Sequence, residues 1–459
     1  MRTWRLPRTG RVITAFTIAC ALTVAMAPTS IEAAPSHVRI GYYANSDMYD
    51  GYYPSDIPVG RLTHIDYAFG KPGADGKCAL SDPWADYQRP YPANEAVDGT
   101  TDGSGQALRG NLNQLRELKA ADPGLKVLIS VGGWTFSKYF SDVAASPASR
   151  KAFVKSCIDL FIKGNLPVAG GAGGHGAAAG IFDGIDIDWE FPVSGGLAGN
   201  HYRASDRHDA TLLFQEFRRQ LTALGTSSGH HYLLTAAIPG GNQMGHSYEF
   251  SAISRSLDWI GVMAYDYHGA YDPTTNFDSP FKPDPADPTA PSLRPAWNIQ
   301  GTVAYYRSQG VPKSKIVVGV PFYGTQYIRV DPTAHGLYQS FANTGMDGST
   351  WQLSTNPTYH DLVNSGQIVT SPSDGSMPHG LNGYARYWSD AAGEPWLWNA
   401  STDRNGDTVS AFISYEDAQS IAERVGLIKS KGLRGAMVWE LSQDSDNYTL
   451  LDALSKELP

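Results

Sequence analysis

Cysteine is scarce in this chain: there are three in 459 residues, and one of them, Cys20, falls inside an N-terminal leader. The remaining two, Cys78 and Cys157, cannot make a disulfide framework, so the fold must rest on a hydrophobic core. Whether they form one bridge or stay as two buried thiols is open, because separation along the chain says nothing of distance in space. Basic charge is short as well, with 36 Lys and Arg against 45 Asp and Glu. That excess of acid makes nucleic acid and anionic membranes poor partners. After residue 27 no stretch approaches the ~20 apolar residues a spanning helix needs. Low charge (18%), 42% apolar residues, 48 Gly and 52 aromatics (25 Tyr, 16 Phe, 11 Trp) describe a globular chain rather than a disordered one. The length suits one large α/β domain or two ordinary ones.

The first 33 residues read as a separate object. Arg2, Arg5, Arg8 and Arg11 precede an apolar run over 12–27, and small residues lead to IEAA. This is the pattern of a secretory signal cut near Ala33. The run is short for an anchor and carries Thr14, Thr17 and Thr23. Cys20 lacks a lipoprotein context, since Thr17 stands where an aliphatic residue is expected and the apolar run continues past it. Cleavage would remove four Arg and one Glu and leave 32 basic against 44 acidic side chains, a net charge of −12. The expectation is a secreted, extracellular, soluble monomer with no membrane and no nucleic-acid partner.

Eight strand-like apolar runs follow, at 38–44, 62–70, 126–134, 184–191, 232–240, 257–266, 315–324 and 433–442. Helical periodicity fills most gaps, at 110–121, 147–164, 209–225, 298–309, 417–431 and 449–457, and is weak at 45–61 and 241–256. Eight βα units predict a (β/α)₈ TIM barrel. Between the seventh strand and its helix lie about 90 residues, too many for a structureless loop. Residues 325–412 are therefore expected to be a small α+β insertion, with strand-like pieces GLYQSF, GYARYW, EPWLWN and AFISY. It leaves the C-terminal end of a strand and so should stand on the top face of the barrel.

Within FDGIDIDWEFP (182–192), Asp186, Asp188 and Glu190 alternate with Ile185, Ile187 and Trp189. In a barrel strand the isoleucines would face the helices and the carboxyls the lumen. Two residues climb about 6.6 Å, and two unit charges that far apart repel by roughly 2.5 kcal/mol at an effective dielectric of 20. That is nearly two pK units, so one or more of the three carboxyls should keep a proton near neutral pH. A proton held in that way can be donated. A calcium site would need ligands wrapped by a turn rather than spread along ~13 Å of strand. Glu190, the topmost, reaches the rim where barrel active sites form.

Asp183, Asp186, Asp188 and Glu190 in FDGIDIDWE match the D-x-x-D-x-D-x-E signature, and the chain resembles glycoside hydrolase family 18, the chitinases. Supporting motifs lie on other strands in the right order: Ser130, Gly132 and Gly133 in SVGGW, Met263, Tyr265 and Asp266 in MAYD, PFYG at 321–324, and Trp439. The resemblance spans essentially the whole chain after the leader, insertion included. It implies a hydrolase of β-1,4-linked N-acetylglucosamine polymers that needs no metal and no cofactor, with chitin and chito-oligosaccharides as partners. It implies Glu190 as general acid, Asp188 as the residue that orients the 2-acetamido nucleophile of the substrate, Asp186 sharing a proton below it, and Tyr265 holding the acetamido carbonyl. Asp183, Tyr42, Ser130, Gly133, Trp134, Met263, Asp266, Tyr323 and Trp439 make up the implied substrate-binding set, with Tyr42 and Ser130 hydrogen-bonded to Asp186 and Trp439 as the floor.

Trp134 and Trp439 have a physical reason to meet a sugar, since pyranose faces carry C–H bonds that pack on aromatic planes. Trp189 and Trp259 are expected in the core on the helix-facing side. After PFYG many relatives carry Arg where this chain has Thr325, so a charged contact to the substrate is either missing or supplied elsewhere. No Pro/Thr- or Gly/Ser-rich linker joins a further module, and any grip on crystalline chitin is expected from the catalytic domain. Two other motifs carry less. Gly171, Gly173 and Gly176 have dinucleotide-binding spacing but follow a helix and precede a strand, the reverse of a phosphate cradle, and are expected in a flexible bottom loop. His230 and His231 precede a strand on that same bottom face, away from barrel chemistry. Alternatives to a chitinase are an endo-β-N-acetylglucosaminidase acting on the chitobiose core of N-glycans, and a non-catalytic chitin-binding lectin. The insertion and the aromatic-rich cleft disfavour the first; the presence of Glu190 disfavours the second.

Overall fold

Each of the eight apolar runs forms a parallel strand: β1 (Val38–Ala44), β2 (His64–Pro72), β3 (Lys126–Gly132), β4 (Gly184–Asp188), β5 (Leu233–Pro239), β6 (Trp259–Met263), β7 (Ile316–Pro321) and β8 (Gly435–Trp439). The structure is a computed structural model and describes residues 37–458 apart from 243–244, 343–355, 373–375 and 405–406; the leader, with Cys20, lies outside the described residues. Sequential strands pair in order, and β8 and β2 both pair with β1, which closes the sheet into a barrel. Closure leaves no edge along the ring.

Helices cover the outside at Gly110–Ala121, Pro147–Cys157, Asp206–Ser228, Phe250–Ser256, Ile299–Ser308, Ala418–Lys431 and Thr449–Glu457. Their ends follow local chemistry. Ser146, Asn298 and Asp417 accept backbone N–H groups of the first turn, and Gly229 and Gly432 end their helices in the left-handed conformation. The β1–β2 connection has no α-helix, only three short 3₁₀ turns.

The two faces of each strand separate cleanly. Ile185 and Ile187 pack with the helices in the main core, whereas Val38, Ile40, Tyr42, Trp259, Val317 and Met437 fill the lower lumen. Trp189 is helix-facing and stacks on Phe140, with ring centroids 5.4 Å apart. Trp259 corrects the expectation: it points into the lumen against His64, at 5.0 Å, because β6 begins at Trp259 with the opposite parity to the one assumed.

Cys78 and Cys157 form a disulfide with Cα atoms 4.9 Å apart. It ties the antiparallel strand Cys78–Leu80, hairpinned to β2, to the helix Pro147–Cys157. The glycine-rich segment is a small hairpin of Leu166–Ala169 and Ala172–Gly174 rather than a loose loop. His230 and His231 lie beside Asp183 and Asp258, at 4.0 and 2.8 Å. Among the described residues no helix is long and apolar enough to cross a membrane.

Between β7 and the helix Ala418–Lys431 stands a four-stranded antiparallel sheet of Thr325–Ile328, Ala385–Ser389, Glu394–Arg404 and Asp407–Ser414. Phe277, Tyr327, Trp396, Trp398 and Phe412 form its own apolar core. Of the four strand-like pieces read in this region, GLYQSF is not a strand. Tyr338 sits at a φ of 59°, incompatible with extended chain, and Leu337, Tyr338 and Phe341 pack onto the sheet instead of pairing with it. Arg424 on the following helix binds Glu394 at 2.9 Å and also Glu416, all three buried, which couples the sheet to the barrel wall.

Candidate active site

Register decides what surrounds the carboxylate row. Parallel pairing sets Ser130 of β3 and Thr235 of β5 level with Asp186 of β4. Asp186 Oδ2 accepts the Ser130 hydroxyl at 2.9 Å and the Tyr42 hydroxyl at 3.0 Å, and Oδ1 accepts Thr235 Oγ1 at 2.6 Å. Three neutral donors thus hold one buried carboxyl; burial still raises its pKa, and the hydrogen bonds only oppose that. Tyr42 and Ser130 are wholly buried, so they touch Asp186 and not a ligand, which corrects their place in a substrate-binding set. One rung lower, Asp66 on β2 adds a further inward carboxyl at 2% exposure, its Oδ1 without a donor among the described residues. Burial, then Asp186, pushes Asp66 well up.

Asp188 lies one rung above Asp186, buried, and among the described residues no donor reaches its Oδ1. Burial raises its pKa furthest, followed by Glu190 and Asp186. The sheet ends there, for the last rung is Gly132↔Asp188. Gly132 has φ 119°, and a Cβ on it would come within 2.0 Å of the Asp188 carbonyl oxygen. Gly133 turns the chain away at φ 76°, where a Cβ would strike the Phe69 ring at 2.6 Å. Gly133 is needed for what it lacks, and being buried it offers no cleft surface.

Glu190 leaves the strand and is held by other means. Its N–H donates to Ser137 Oγ at 2.9 Å, its carbonyl accepts Asn200 Nδ2 at 2.9 Å, and the Tyr248 hydroxyl donates to the preceding carbonyl, that of Trp189, at 2.9 Å. The carboxyl faces a cleft of about 510 Å³ lined by Trp134, Phe191, Met263, Tyr265, Asp266, Tyr271 and Trp297 among others. Desolvation, then the charge of Asp266, raises Glu190 to about 8. It therefore holds a proton at neutral pH, in the form that can donate.

Trp134 is 50% exposed and meets Phe191 edge-on at 6.4 Å. Met263 and Tyr265 are half-buried at the end of β6. Tyr323 is nearly buried, its hydroxyl donating to Asp266 Oδ1 at 2.9 Å and its ring edge-on to Tyr265, so it shapes the cleft through Asp266 rather than by facing it. Trp439 caps the lumen, stacked on Phe69 at 5.8 Å and tilted against Tyr42 at 5.4 Å. Asp183 is a correction. It precedes β4 at the opposite end of the barrel, about 16 Å along the strand from Asp188. There its Oδ2 accepts Lys119 Nζ at 2.6 Å and the Val127 N–H at 2.9 Å, pinning a helix to β3.

Thr235, Asp66, Ser137, Tyr271 and Trp297 were not foreseen. Thr235 and Asp66 had a signal in strand parity alone; Tyr271 and Trp297 lie in loops and Ser137 in a single 3₁₀ turn, where parity says nothing.

The model of glycosyl hydrolases family 18 matches residues 38–444. The chain belongs to that family. It is 36% identical to chitinase A1 of Niallia circulans, over 95% of this chain and 60% of that protein, and 32% identical to chitinase C of Streptomyces lividans, over 90% and 58%. It spans about three fifths of the length of these curated relatives. The catalytic domain of the psychrophilic chitinase B from Arthrobacter TAD20 superposes with a TM-score of 0.79 at 34% identity, covering 92% of this chain and 95% of that one. The (β/α)₈ barrel and the family 18 signature on β4 thus agree with the fold and sequence of known members.

Proposed function

We propose that the protein is a secreted, monomeric chitinase that hydrolyses β-1,4 bonds between N-acetylglucosamine units with retention of configuration. The observation that carries this reading is Asp188 Oδ1, a buried carboxyl oxygen that no donor among the described residues reaches, beside Glu190, whose pKa burial and Asp266 raise to about 8, at the edge of an aromatic cleft. A substrate acetamido N–H is a donor of the kind Asp188 lacks.

The chemistry follows from those positions. Glu190 gives its proton to the glycosidic oxygen as the C1–O bond breaks. The acetamido carbonyl oxygen of the sugar attacks C1 from the opposite face, so no second carboxylate need bond to carbon, unlike the two-carboxylate scheme of most glycosidases. The oxazolinium formed is cationic, and Asp188 supplies the compensating charge in a desolvated site. Asp188 becomes negative by passing its proton down to the coupled carboxyls Asp186 and Asp66, so the lumen keeps its proton while the charge moves up beside the oxazolinium. Tyr265 is suited to hold the acetamido carbonyl, and Trp134 to stack on the sugar beyond the cleaved bond. Water then opens the ring, returning a proton to Glu190.

Export is supported by the arginine-led apolar leader. Incubation with colloidal chitin and, separately, with a high-mannose glycoprotein tests the substrate. Soluble N-acetylglucosamine oligomers from chitin alone are expected. Release of glycans with chitin untouched would replace this reading by the endo-β-N-acetylglucosaminidase one, and turnover of neither would leave a binding protein.

A further inference from the structure

Asp278 is a buried carboxyl that no cation among the described residues pairs with. It lies between β6 and the helix Ile299–Ser308 and is 2% exposed. Its N–H donates to Ser414 Oγ at 2.9 Å, at the end of the inserted sheet. Oδ1 accepts the Thr325 hydroxyl at 3.2 Å and Oδ2 the Asp266 N–H at 3.4 Å. Both side-chain oxygens thus receive only neutral donors. Burial raises the pKa of Asp266, and the Tyr323 and Asp278 side chains beside it pull it back down.

The charged neighbours are of the wrong sign. Asp266 faces Asp278 from the loop after β6, and Glu416 from the chain just after the inserted sheet. Arg424 reaches the carbonyl of the adjacent Ser279 at 2.7 Å, but it is shared between Glu394 and Glu416. Tyr265, Tyr271, Tyr323 and Tyr327 also feel Asp278, all as neutral phenols. Two neighbouring carboxyls with no cation between them resist ionising together, and the buried one costs more to charge.

We propose that Asp278 is a positioning residue of the active site, which stays protonated and donates its O–H to the Asp266 carboxylate. With the Tyr323 hydroxyl on Oδ1, that bond fixes Asp266 in the wall of the cleft, where its charge acts on Glu190. The role of Thr325 follows. Next to Asp278 an uncharged hydroxyl leaves the shared proton in place, whereas a cation would ionise Asp278 and strip Asp266 of its donor. The inserted sheet thereby reaches the catalytic carboxyls through two side chains, Thr325 and Ser414, at its paired strand ends.

The kinetic arm of the test rests on the chitinolytic reading; the spectroscopic arm does not. Infrared difference spectra of folded wild type minus Asp278→Asn, at about pH 6, should contain the carbonyl band of a protonated carboxylic acid. A carboxylate band in its place would overturn the proposal. On a chito-oligosaccharide, Asp278→Ala should lower kcat at least about ten-fold, the factor that one charge-assisted hydrogen bond implies. Asp278→Asn, which still offers an N–H to Asp266, should recover most of that loss. Equal losses in the two variants would overturn the donor role. Absence of turnover by wild type would refute the chitinolytic reading, while the infrared result would still decide where the proton lies.

Discussion

The Ser137 hydroxyl accepts the Glu190 N–H at 2.9 Å, just past the last β3–β4 rung, where no strand remains to receive it. Gly133 O and Asp188 O lie 2.9 and 3.1 Å from the same hydroxyl as acceptors. One serine thus continues the ladder by a side chain and carries the Glu190 backbone out of the sheet.

Replacing Ser137 by Ala leaves a buried N–H without a partner, at a cost of about 1–3 kcal/mol, and frees Glu190 to wander. The expected outcome is kcat reduced by about ten- to hundred-fold with KM little changed, since a misplaced acid costs rate more than binding. Steady-state kinetics on a chito-oligosaccharide checks it.

Glu190→Gln keeps size and hydrogen bonding but removes the transferable proton. Hydrolysis should fall by at least about 10²–10⁴, while oligosaccharide binding measured by calorimetry survives. On the proposed mechanism Glu190 acts in its protonated form, and burial and Asp266 raise its pKa to about 8. Hence kcat/KM should decline as pH rises through about 8, and a pH–rate profile still rising there would assign the acid elsewhere.

Two inversions, first by the acetamido oxygen and then by water, give net retention. The earliest product should be the β-anomer by proton NMR, before mutarotation, and Asp188→Asn should lose rate without trapping a glycosyl-enzyme. Bonds with an unacetylated glucosamine on the non-reducing side should resist cleavage.

Away from the cleft, Asp86 is wholly buried with Tyr67 and Asn45 donating to Oδ1 and nothing to Oδ2. Burial raises its pKa to about 7, against about 3.9 in an unfolded chain. The folded state therefore binds this proton more tightly, so stability from Asp86 is full below about pH 4 and is lost as pH rises through 7. Asp86→Asn, which cannot ionise, should flatten the fall in stability between about pH 4 and pH 7, by about 1–4 kcal/mol. Denaturant melts of both proteins from acid to alkaline pH measure the difference in slope.

The Cys78–Cys157 bridge closes a loop with a separation of 79 residues. Loop-closure entropy predicts a contribution of about 4 kcal/mol. A double Cys→Ser variant should melt several degrees lower and show little change in kcat, because the bridge lies on the outer wall.

Alternation along β4 is a local property, and from it alone Asp186, Asp188 and Glu190 could be assigned to the lumen and Ile185 and Ile187 to the helices. Eight such runs in order sufficed to infer a barrel, because parallel strands with helical crossovers close in few ways. What lies opposite a residue is set by something else. The height of β3 and β5 against β4 decides that Thr235 and Ser130 meet Asp186, and that height is fixed by packing of the whole ring. Parity at the start of β6 turned Trp259 inward, and the strand's direction sent Asp183 to the far end, though it shares a motif with Glu190. Ser137 opens a single 3₁₀ turn and Asp278 lies on a loop, neither with a period to read, and their partners sit 53 and 136 residues away along the chain. A sequence specifies faces through nearest neighbours, whereas partners across a barrel are chosen only when the ring closes.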